Sequence, residues 1–127
     1  MPHSYKNYAH LEGVVDEDAV VVATSKQGEI VAFRLAVREL VRDANGENVL
    51  RTDVFDVEIG PRNSRFAATL RKGTPVMIDA QIRTYSLNAM GLEHRTVKLK
   101  AHRIHSIDYN GWKKGVGLDS ENTEDEP

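Results

Sequence analysis

The stretch PRNSRFAATLRKG, residues 61–73, interrupts a chain whose other segments alternate apolar and polar side chains in the manner of β-strands. Its proline suits the first turn of a helix, and its glycine suits the position just beyond the last turn. Phe66 and Leu70 are four residues apart, which places them on one helix face. The stretch therefore predicts a short helix at about 62–71 that presents these two side chains to a core.

Three regions of strand character precede this helix. The first, AHLEGVV at 9–15, contains Gly13, and a glycine inside a strand indicates a bulge or a sharp bend. The second and third, at 29–40 and 49–60, flank Asn45-Gly46, which is a strong hairpin signal. In each region every second residue suits a core face, and the predicted set is Ala9, Leu11, Gly13, Val15, Val31, Phe33, Leu35, Val37, Phe55, Val57 and Ile59.

A long hairpin follows the helix. VMIDAQIRTYSL, at 76–87, alternates apolar residues with a polar set that includes Arg83 and Tyr85. NAMG then predicts a turn, and the last strand carries Lys98 and Lys100 on its polar face. The hairpin therefore predicts one face for a core and one face that bears cations beside an aromatic ring.

Three strand regions, a short helix and a long hairpin make the chain all-β. Long strands that bend at glycines can close into a small barrel, which removes exposed strand edges. The helix between the third and fourth strands predicts a five-stranded Greek-key barrel of the OB-fold type, with the helix closing one end. An SH3-like barrel is the main alternative, and it does not usually have a helix there. We expect the barrel domain at 1–110 and a disordered, Gly-rich and acidic tail at 111–127.

The composition fits one soluble domain. The 127 residues contain no cysteine, which excludes disulfides and thiolate metal sites. The N-terminus has no apolar run typical of a secretion signal, and no stretch reaches the ~20 apolar residues that span a membrane. We therefore expect a cytoplasmic protein that has no membrane partner.

Charge is distributed unevenly, although the net charge is only −2. Residues 1–60 contain 6 Lys and Arg against 11 Asp and Glu, residues 61–114 contain 11 against 3, and residues 115–127 contain 0 against 5. A basic segment beside acidic ends fits an anionic partner. A mixed-charge surface with a solvated tail explains the same counts, so charge alone does not decide the function.

Signatures of enzymes are missing from the sequence. It contains no H-E-x-x-H, no G-x-x-x-x-G-K-[ST] and no G-x-S-x-G motif. His102 and His105 are three residues apart, so on a strand they point to opposite faces and do not share a metal. We expect no catalysis, no metal and no cofactor, and we interpret Asp53, Asp56 and Glu58 as surface carboxylates.

Cations on the non-core faces of the strands suggest a nucleic-acid surface. Single-strand binding needs a cationic groove for phosphates and aromatic rings on which bases stack. Each cation alone is explained more simply as solvated strand surface, but their shared placement makes nucleic-acid binding an equal alternative. The residues that the strand pattern offers are Arg34, Arg38, Arg83, Tyr85, Lys98 and Lys100.

Five stretches match a known family in order and spacing, namely NYAHLEGVV at 7–15, VAFRLAV at 31–37, RTDVFDVEIG at 51–60, LRKGTPVMIDAQIRTYS at 70–86 and VKLKAHRIHSID at 97–108. With them the chain resembles the bacterial single-stranded DNA-binding proteins of the homotetrameric OB-fold type. The resemblance implies wrapping of single-stranded DNA largely without sequence preference, and its protection during replication, recombination or repair. It also implies a homo-oligomer, most simply a tetramer, a nucleoid-associated location, and replication and repair proteins as partners.

The resemblance also assigns residues. Lys72 matches a phosphate-contacting lysine of the family, and Arg83 with Tyr85 matches a basic strand with an aromatic end. Val54 stands where the family has a stacking tryptophan, and Tyr8 can replace part of the missing ring surface. The candidate DNA-binding residues are therefore Tyr8, Arg34, Arg38, Val54, Lys72, Arg83, Tyr85, Lys98 and Lys100.

Departures from the family pattern keep a second function open. Gly60 replaces a phenylalanine of the family, Leu87 replaces a tryptophan, and Asp56 with Glu58 adds negative charge to the same face. The acidic end DSENTEDEP lacks the hydrophobic tip through which family members recruit partners. The alternative is an OB-fold module for protein contacts, such as a primosomal accessory factor with weak DNA binding.

Overall fold

The computed structural model describes residues 4–107, which form six strands and one short helical segment. The strands are β1 (Ala9–Val15), β2 (Val20–Ser25), β3 (Gly28–Arg42), β4 (Asn48–Ile59), β5 (Pro75–Ala89) and β6 (Leu92–Ser106). Between β4 and β5, a 3₁₀ turn at Pro61–Asn63 leads into the helix α1, Ser64–Ala67. The predicted domain end near residue 110 and the predicted tail at 111–127 lie outside the described residues.

The strands form one sheet that closes on itself. Their order is β1-β5-β6-β4-β3-β2, and β1 also pairs with β3, where Val14 lies opposite Ala36. β2 pairs with residues 28–32 of β3, and β1 pairs with residues 35–36 on the same edge of β3. β1 and β2 therefore act together as the first of five barrel strands. β4 and β6 pair in parallel, Val57 opposite Leu99, and the predicted five-stranded OB-fold barrel is confirmed.

Gly13 permits this closure. A Cβ on residue 13 would overlap the backbone carbonyl oxygen of Ala36, so no side chain fits between β1 and β3. A glycine inside a strand often marks such a close approach of two backbones. The pairing of β1 with β5 runs through Gly13 without the predicted bulge. The glycine is required for close packing instead, because β1 pairs with β3 from the next residue onward.

The core consists of apolar residues at every second strand position. Val31, Phe33 and Leu35 of β3 are buried, and so are Val57 and Ile59 of β4, as the alternation predicts. Of their outward neighbours, Arg34 and Asp56 are exposed and Glu58 is partly exposed, whereas Ala36 is buried where β1 and β4 flank it. The alternation therefore assigns the faces of both strands correctly, and it leaves a polar wall on the outside of the barrel.

The helical segment closes one end of the barrel, but it is shorter than the predicted 62–71. α1 ends at Ala67, and Leu70 lies in the following turn, where its N–H donates to the Ala67 carbonyl oxygen at 3.1 Å. Ala67 and Leu70 are buried, whereas Phe66 is 39% exposed. The prediction that Phe66 closes the barrel is wrong, because a four-residue spacing aligns side chains only while the helix continues. Within residues 4–107, no helix is long and apolar enough to cross a membrane.

The β3–β4 and β5–β6 hairpins continue beyond the core as two exposed arms. On β5 the core face is buried as far as Ala80, whereas Ile82, the next residue on that face, is exposed. The β5–β6 arm turns at Met90-Gly91, where φ is positive at both residues, 52° and 78°. Two positive φ values are typical of the type I′ turn that joins tight hairpins. The turn is shorter than the predicted NAMG, because pairing continues to Ala89 opposite Leu92.

Candidate nucleic-acid interface

The outer faces of β3, β4, β6 and β5 form one continuous polar wall. Residues that alternate with core residues point away from the barrel, so this wall collects most of the predicted DNA-binding cations. Carboxylates on β4 lie between cations on β3 and on β6. The facing pairs are Arg34 with Asp56, Glu58 with Lys100, and Lys98 with Arg83.

A groove of about 390 Å³ opens on this wall between β5, β6 and the 3₁₀ turn, and we call it the basic groove. Three cations, a histidine and an aromatic ring line it: Arg62, Arg83, Lys100, His102 and Tyr85. Within the described part of the chain, no Asp or Glu side chain lines it. The groove therefore combines positive charge that can bind phosphate with a ring on which a base can stack.

Neighbouring side chains orient two members of the basic groove. Arg83 Nη2 donates a hydrogen bond to Gln81 Oε1 at 2.8 Å, which holds the guanidinium along β5. Lys98 Nζ lies 5.3 Å from the centroid of the Tyr85 ring, within the range of a cation–π interaction. Lys98 thus covers one face of the Tyr85 ring.

A second groove, of about 300 Å³, lies on the β3–β4 side of the wall, and we call it the acidic groove. There Arg34 forms ion pairs with Asp56 at 3.4 Å and with Glu17 at 3.7 Å. Lys98 Nζ donates to Glu58 at 2.9 Å, and this hydrogen bond raises the pKa of Lys98. Two of the predicted DNA-binding cations, Arg34 and Lys98, are therefore already engaged with carboxylates.

Three further predicted residues lie away from both grooves. Arg38 and Val54 are exposed on the outer face of the β3–β4 arm, on the same wall as the grooves. Lys72 lies in the loop after α1, where its backbone N–H donates to the Asp18 carboxylate at 2.7 Å. The side chains of Arg38 and Val54 extend the wall, whereas Lys72 stands apart from it.

Tyr8, the remaining predicted residue, belongs to a polar cluster on the outer face of β1 and β5. Its hydroxyl donates to Asp79 Oδ1 at 2.6 Å, and His10 Nδ1 lies 2.8 Å from the same oxygen. The hydrogen bonds from Tyr8 and then from His10 lower the pKa of Asp79, and the Asp79 carboxylate raises the pKa of both partners. Within residues 4–107, no group of three or more His, Cys, Asp or Glu side chains is arranged to hold a metal.

A model of the single-strand binding protein family matches residues 6–107. The chain belongs to this family. The matched region contains all six strands, the outer wall and both grooves. Family membership supports single-stranded DNA as the ligand, and it favours this function over the protein-contact alternative.

Solved structures of single-stranded DNA-binding proteins have the same fold. The "Plasmodium falciparum SSB complex with ssDNA" is 19% identical, with a TM-score of 0.75 over 85% of this chain and 100% of that chain. A small single-stranded DNA-binding protein from Streptomyces coelicolor is 22% identical, with a TM-score of 0.63 over 82% and 96%. A deletion mutant of the Thermus aquaticus protein is 18% identical, with a TM-score of 0.71 over 84% of this chain and 52% of that chain. No curated protein matches the sequence.

Sequence reasoning did not include Arg62 or His102 in the site. Arg62 precedes α1, and only the closed barrel brings the 3₁₀ turn against β5 and β6. His102 follows Lys98 and Lys100 at every second position of β6, so the alternation that places these lysines on the wall places His102 there as well. The β5–β6 pairing then passes from Ala101 to Arg103, and the face changes only after His102. Arg62 therefore needed the three-dimensional structure to be found, whereas the strand pattern already indicated the face of His102.

Proposed function

We propose that this protein binds single-stranded DNA without catalysis and largely without sequence preference, with the basic groove as its central contact. The proposal rests on the basic groove, in which Arg62, Arg83 and Lys100 lie beside Tyr85. No carboxylate of residues 4–107 lines this groove. Cations bind phosphates of any sequence, and a ring stacks on any base. Such a groove therefore suits unpaired strands better than one defined sequence.

The other predicted residues extend the path of the strand. Arg38 and Val54 add a cation and an apolar surface on the β3–β4 arm, and Tyr8 and Lys72 add contacts for a strand that wraps around the barrel. Stacking is worth about 1–3 kcal/mol per base, and this wall has few rings. Most of the affinity therefore comes from phosphate neutralisation, which makes binding strongly dependent on salt.

The cellular role that fits this chemistry is protection of single strands during DNA replication, recombination or repair. The protein would act as a nucleoid-associated homo-oligomer, most simply a homotetramer, with replication and repair proteins as further partners. Such an assembly would link several basic grooves, and contacts that are weak singly become strong when one strand engages several of them. The domain at 1–110 would hold the DNA, and the tail at 111–127 would remain separate from it.

A protein-contact module is the second candidate, and the acidic groove favours it. Arg34 and Lys98 are paired with carboxylates there, so that part of the wall offers little free positive charge. An OB-fold used only for protein contacts would keep such pairs, and it would show weak DNA binding. The two candidates differ in their affinity for DNA at low salt.

Titration with dT oligonucleotides of ~35 and ~70 nucleotides at ~20 and ~200 mM salt tests the proposal. We expect clear binding at low salt and a linear fall of log affinity with log salt. Arg83→Met with Lys100→Met should flatten that slope by ~1.4, which is ~0.7 for each lost phosphate contact. Arg51→Met is the matched control, because Arg51 pairs with Asp53 on the other face of β4. Absence of binding at ~20 mM salt would favour the protein-contact candidate.

A further inference from the structure

Two carboxylates stand in the middle of the cationic wall. Asp56 and Glu58 point outward from β4, and together we call them the carboxylate ridge. Arg34 lies on the β3 side of the ridge, whereas Lys98 and Lys100 lie on the β6 side. A DNA strand that runs from the basic groove to Arg34 must therefore cross the ridge.

The ridge holds the cations on both of its sides. Glu58 Oε2 lies 2.9 Å from Lys98 Nζ, and these side chains are only 21% and 34% exposed, so water screens the pair incompletely. Asp56 lies 3.4 Å from Arg34 in a more exposed pair. A carboxylate in such a charge-assisted contact occupies the position that a phosphate oxygen would take. A phosphate that binds Arg34 or Lys98 must therefore first displace the carboxylate that is paired with that cation.

We propose that the carboxylate ridge competes with DNA phosphates for Arg34 and Lys98, and thereby confines the single strand to the basic groove. This inference rests on the proposed function and names residues that limit it. The basic groove carries the phosphate contacts, whereas Arg34 and Lys98 contribute little to the affinity. The ridge sets both the affinity and the length of strand that one subunit covers.

Salt dependence separates the two groups of cations. A cation of the basic groove that neutralises a phosphate releases counterions from the single strand, and each neutralised phosphate contributes ~0.7 to the salt slope. A cation that stays paired with its carboxylate neutralises no phosphate, so it releases no counterions from the DNA. The wild-type slope therefore reports on the basic groove, and removal of the ridge charges adds Arg34 and Lys98 to it.

Isosteric neutral substitutions test the ridge with little risk to the fold. Glu58→Gln frees Lys98, and Asp56→Asn frees Arg34 when it is made in a Glu17→Gln background, because Arg34 also pairs with Glu17 at 3.7 Å. Each change should tighten dT binding ~3- to 10-fold at low salt relative to its own background, because one repulsive charge near the strand is removed. Each should steepen the slope by ~0.7, and the two changes together by ~1.4 with a longer occluded site. Asp53→Asn is the matched control, because it removes the same charge from the opposite face of β4, where Asp53 pairs with Arg51.

A second measurement asks whether Lys98 is masked. Lys98→Met should leave the salt slope unchanged in the wild type, because Glu58 already neutralises that lysine. In the Glu58→Gln background the same change should lower the slope by ~0.7, because the freed lysine then contacts a phosphate. An equal effect of Lys98→Met in both backgrounds would show that the ion pair does not mask the lysine.

The outcomes distinguish the inference from the proposed function. If the wild type and the ridge variants all fail to bind at ~20 mM salt, both are overturned. If the wild type binds and the ridge variants match Asp53→Asn in affinity, slope and site size, the ridge inference is overturned and the proposed function remains. Tighter binding with a steeper slope in the ridge variants alone supports the inference.

Discussion

Replacement of Gly13 by alanine tests how the barrel closes. The pairing of β1 with β3 is short: Val14 and Val15 lie opposite Ala36 and Leu35. A Cβ at residue 13 would overlap the Ala36 carbonyl oxygen and would lie 3.2 Å from Leu35 Cδ1. A backbone oxygen cannot rotate away as a flexible side chain can, so β1 must move. The short pairing that closes the barrel must then weaken.

We expect Gly13→Ala to lower the free energy of unfolding by about 1–3.5 kcal/mol. Forcing an extra methyl group into packed space costs about 1–3 kcal/mol, and a weakened backbone hydrogen bond costs about 1 kcal/mol more. The smaller backbone entropy of unfolded alanine returns about 0.4–1 kcal/mol. Urea unfolding followed by far-ultraviolet circular dichroism at one protein concentration measures the difference.

Gly60→Ala is the matched control for this substitution. No heavy atom lies within 4 Å of a Cβ at residue 60, and φ there is −78°, which alanine adopts without strain. Gly60→Ala should therefore raise the free energy of unfolding by about 0.4–1 kcal/mol, through the smaller backbone entropy of unfolded alanine alone. If both variants unfold at the same urea concentration, the argument that Gly13 is required for closure is refuted.

Three other measurements test the polar cluster, the hairpin turn and the tail. The raised pKa of His10 stabilises the fold below its ordinary value of 6.5, and this contribution is lost as pH rises through the raised value. The stability gap between wild type and His10→Gln should therefore be larger at pH ~5.5 than at pH ~8, and an equal gap would argue against the Asp79 contact. Met90→Gly should raise the free energy of unfolding by about 0.5–1 kcal/mol, because Met90 has a positive φ of 52° that glycine adopts without a steric penalty. A lower melting temperature of the variant would contradict this. Removal of 115–127, a segment with five acidic residues, should leave the circular dichroism spectrum unchanged. It should slightly strengthen dT binding at low salt, because an anionic segment that competes with DNA for the cations is removed. Weaker binding would show that the segment is not such a competitor.

Features that depend on one strand or one hairpin could be predicted from the sequence. Side chains alternate along a strand as a local property, so the outward direction of Arg83 and Lys100 follows from the residues beside them. β5 and β6 are consecutive strands, and their hairpin brings both cations and Tyr85 to one groove. The place of the helix between β4 and β5 also follows from local signals, because its proline and glycine mark the limits of the segment.

Contacts between segments distant in the sequence could not be predicted in this way. Glu58 and Lys98 are 40 residues apart, and they meet because β4 and β6 pair in parallel within the closed barrel. Alternation determines the face of each residue but not the register between two such strands. The sequence therefore presented a surface carboxylate and a DNA-binding cation as separate features. The tetramer stays a prediction, because it concerns further copies of the chain.

The charges on the wall predict that the proposed oligomer is needed for binding at physiological salt. A subunit that uses only Arg62, Arg83 and Lys100 neutralises about three phosphates, which gives a salt slope of about 2. Between ~50 and ~200 mM salt, such a subunit loses roughly 20-fold in affinity, and it has few rings whose stacking would be insensitive to salt. In the proposed oligomer, linked grooves on several subunits would offset this loss, because each further groove would engage the same strand at a high effective concentration. A variant that is monomeric should therefore bind dT at low salt and release it near physiological salt, whereas the assembled protein should retain it.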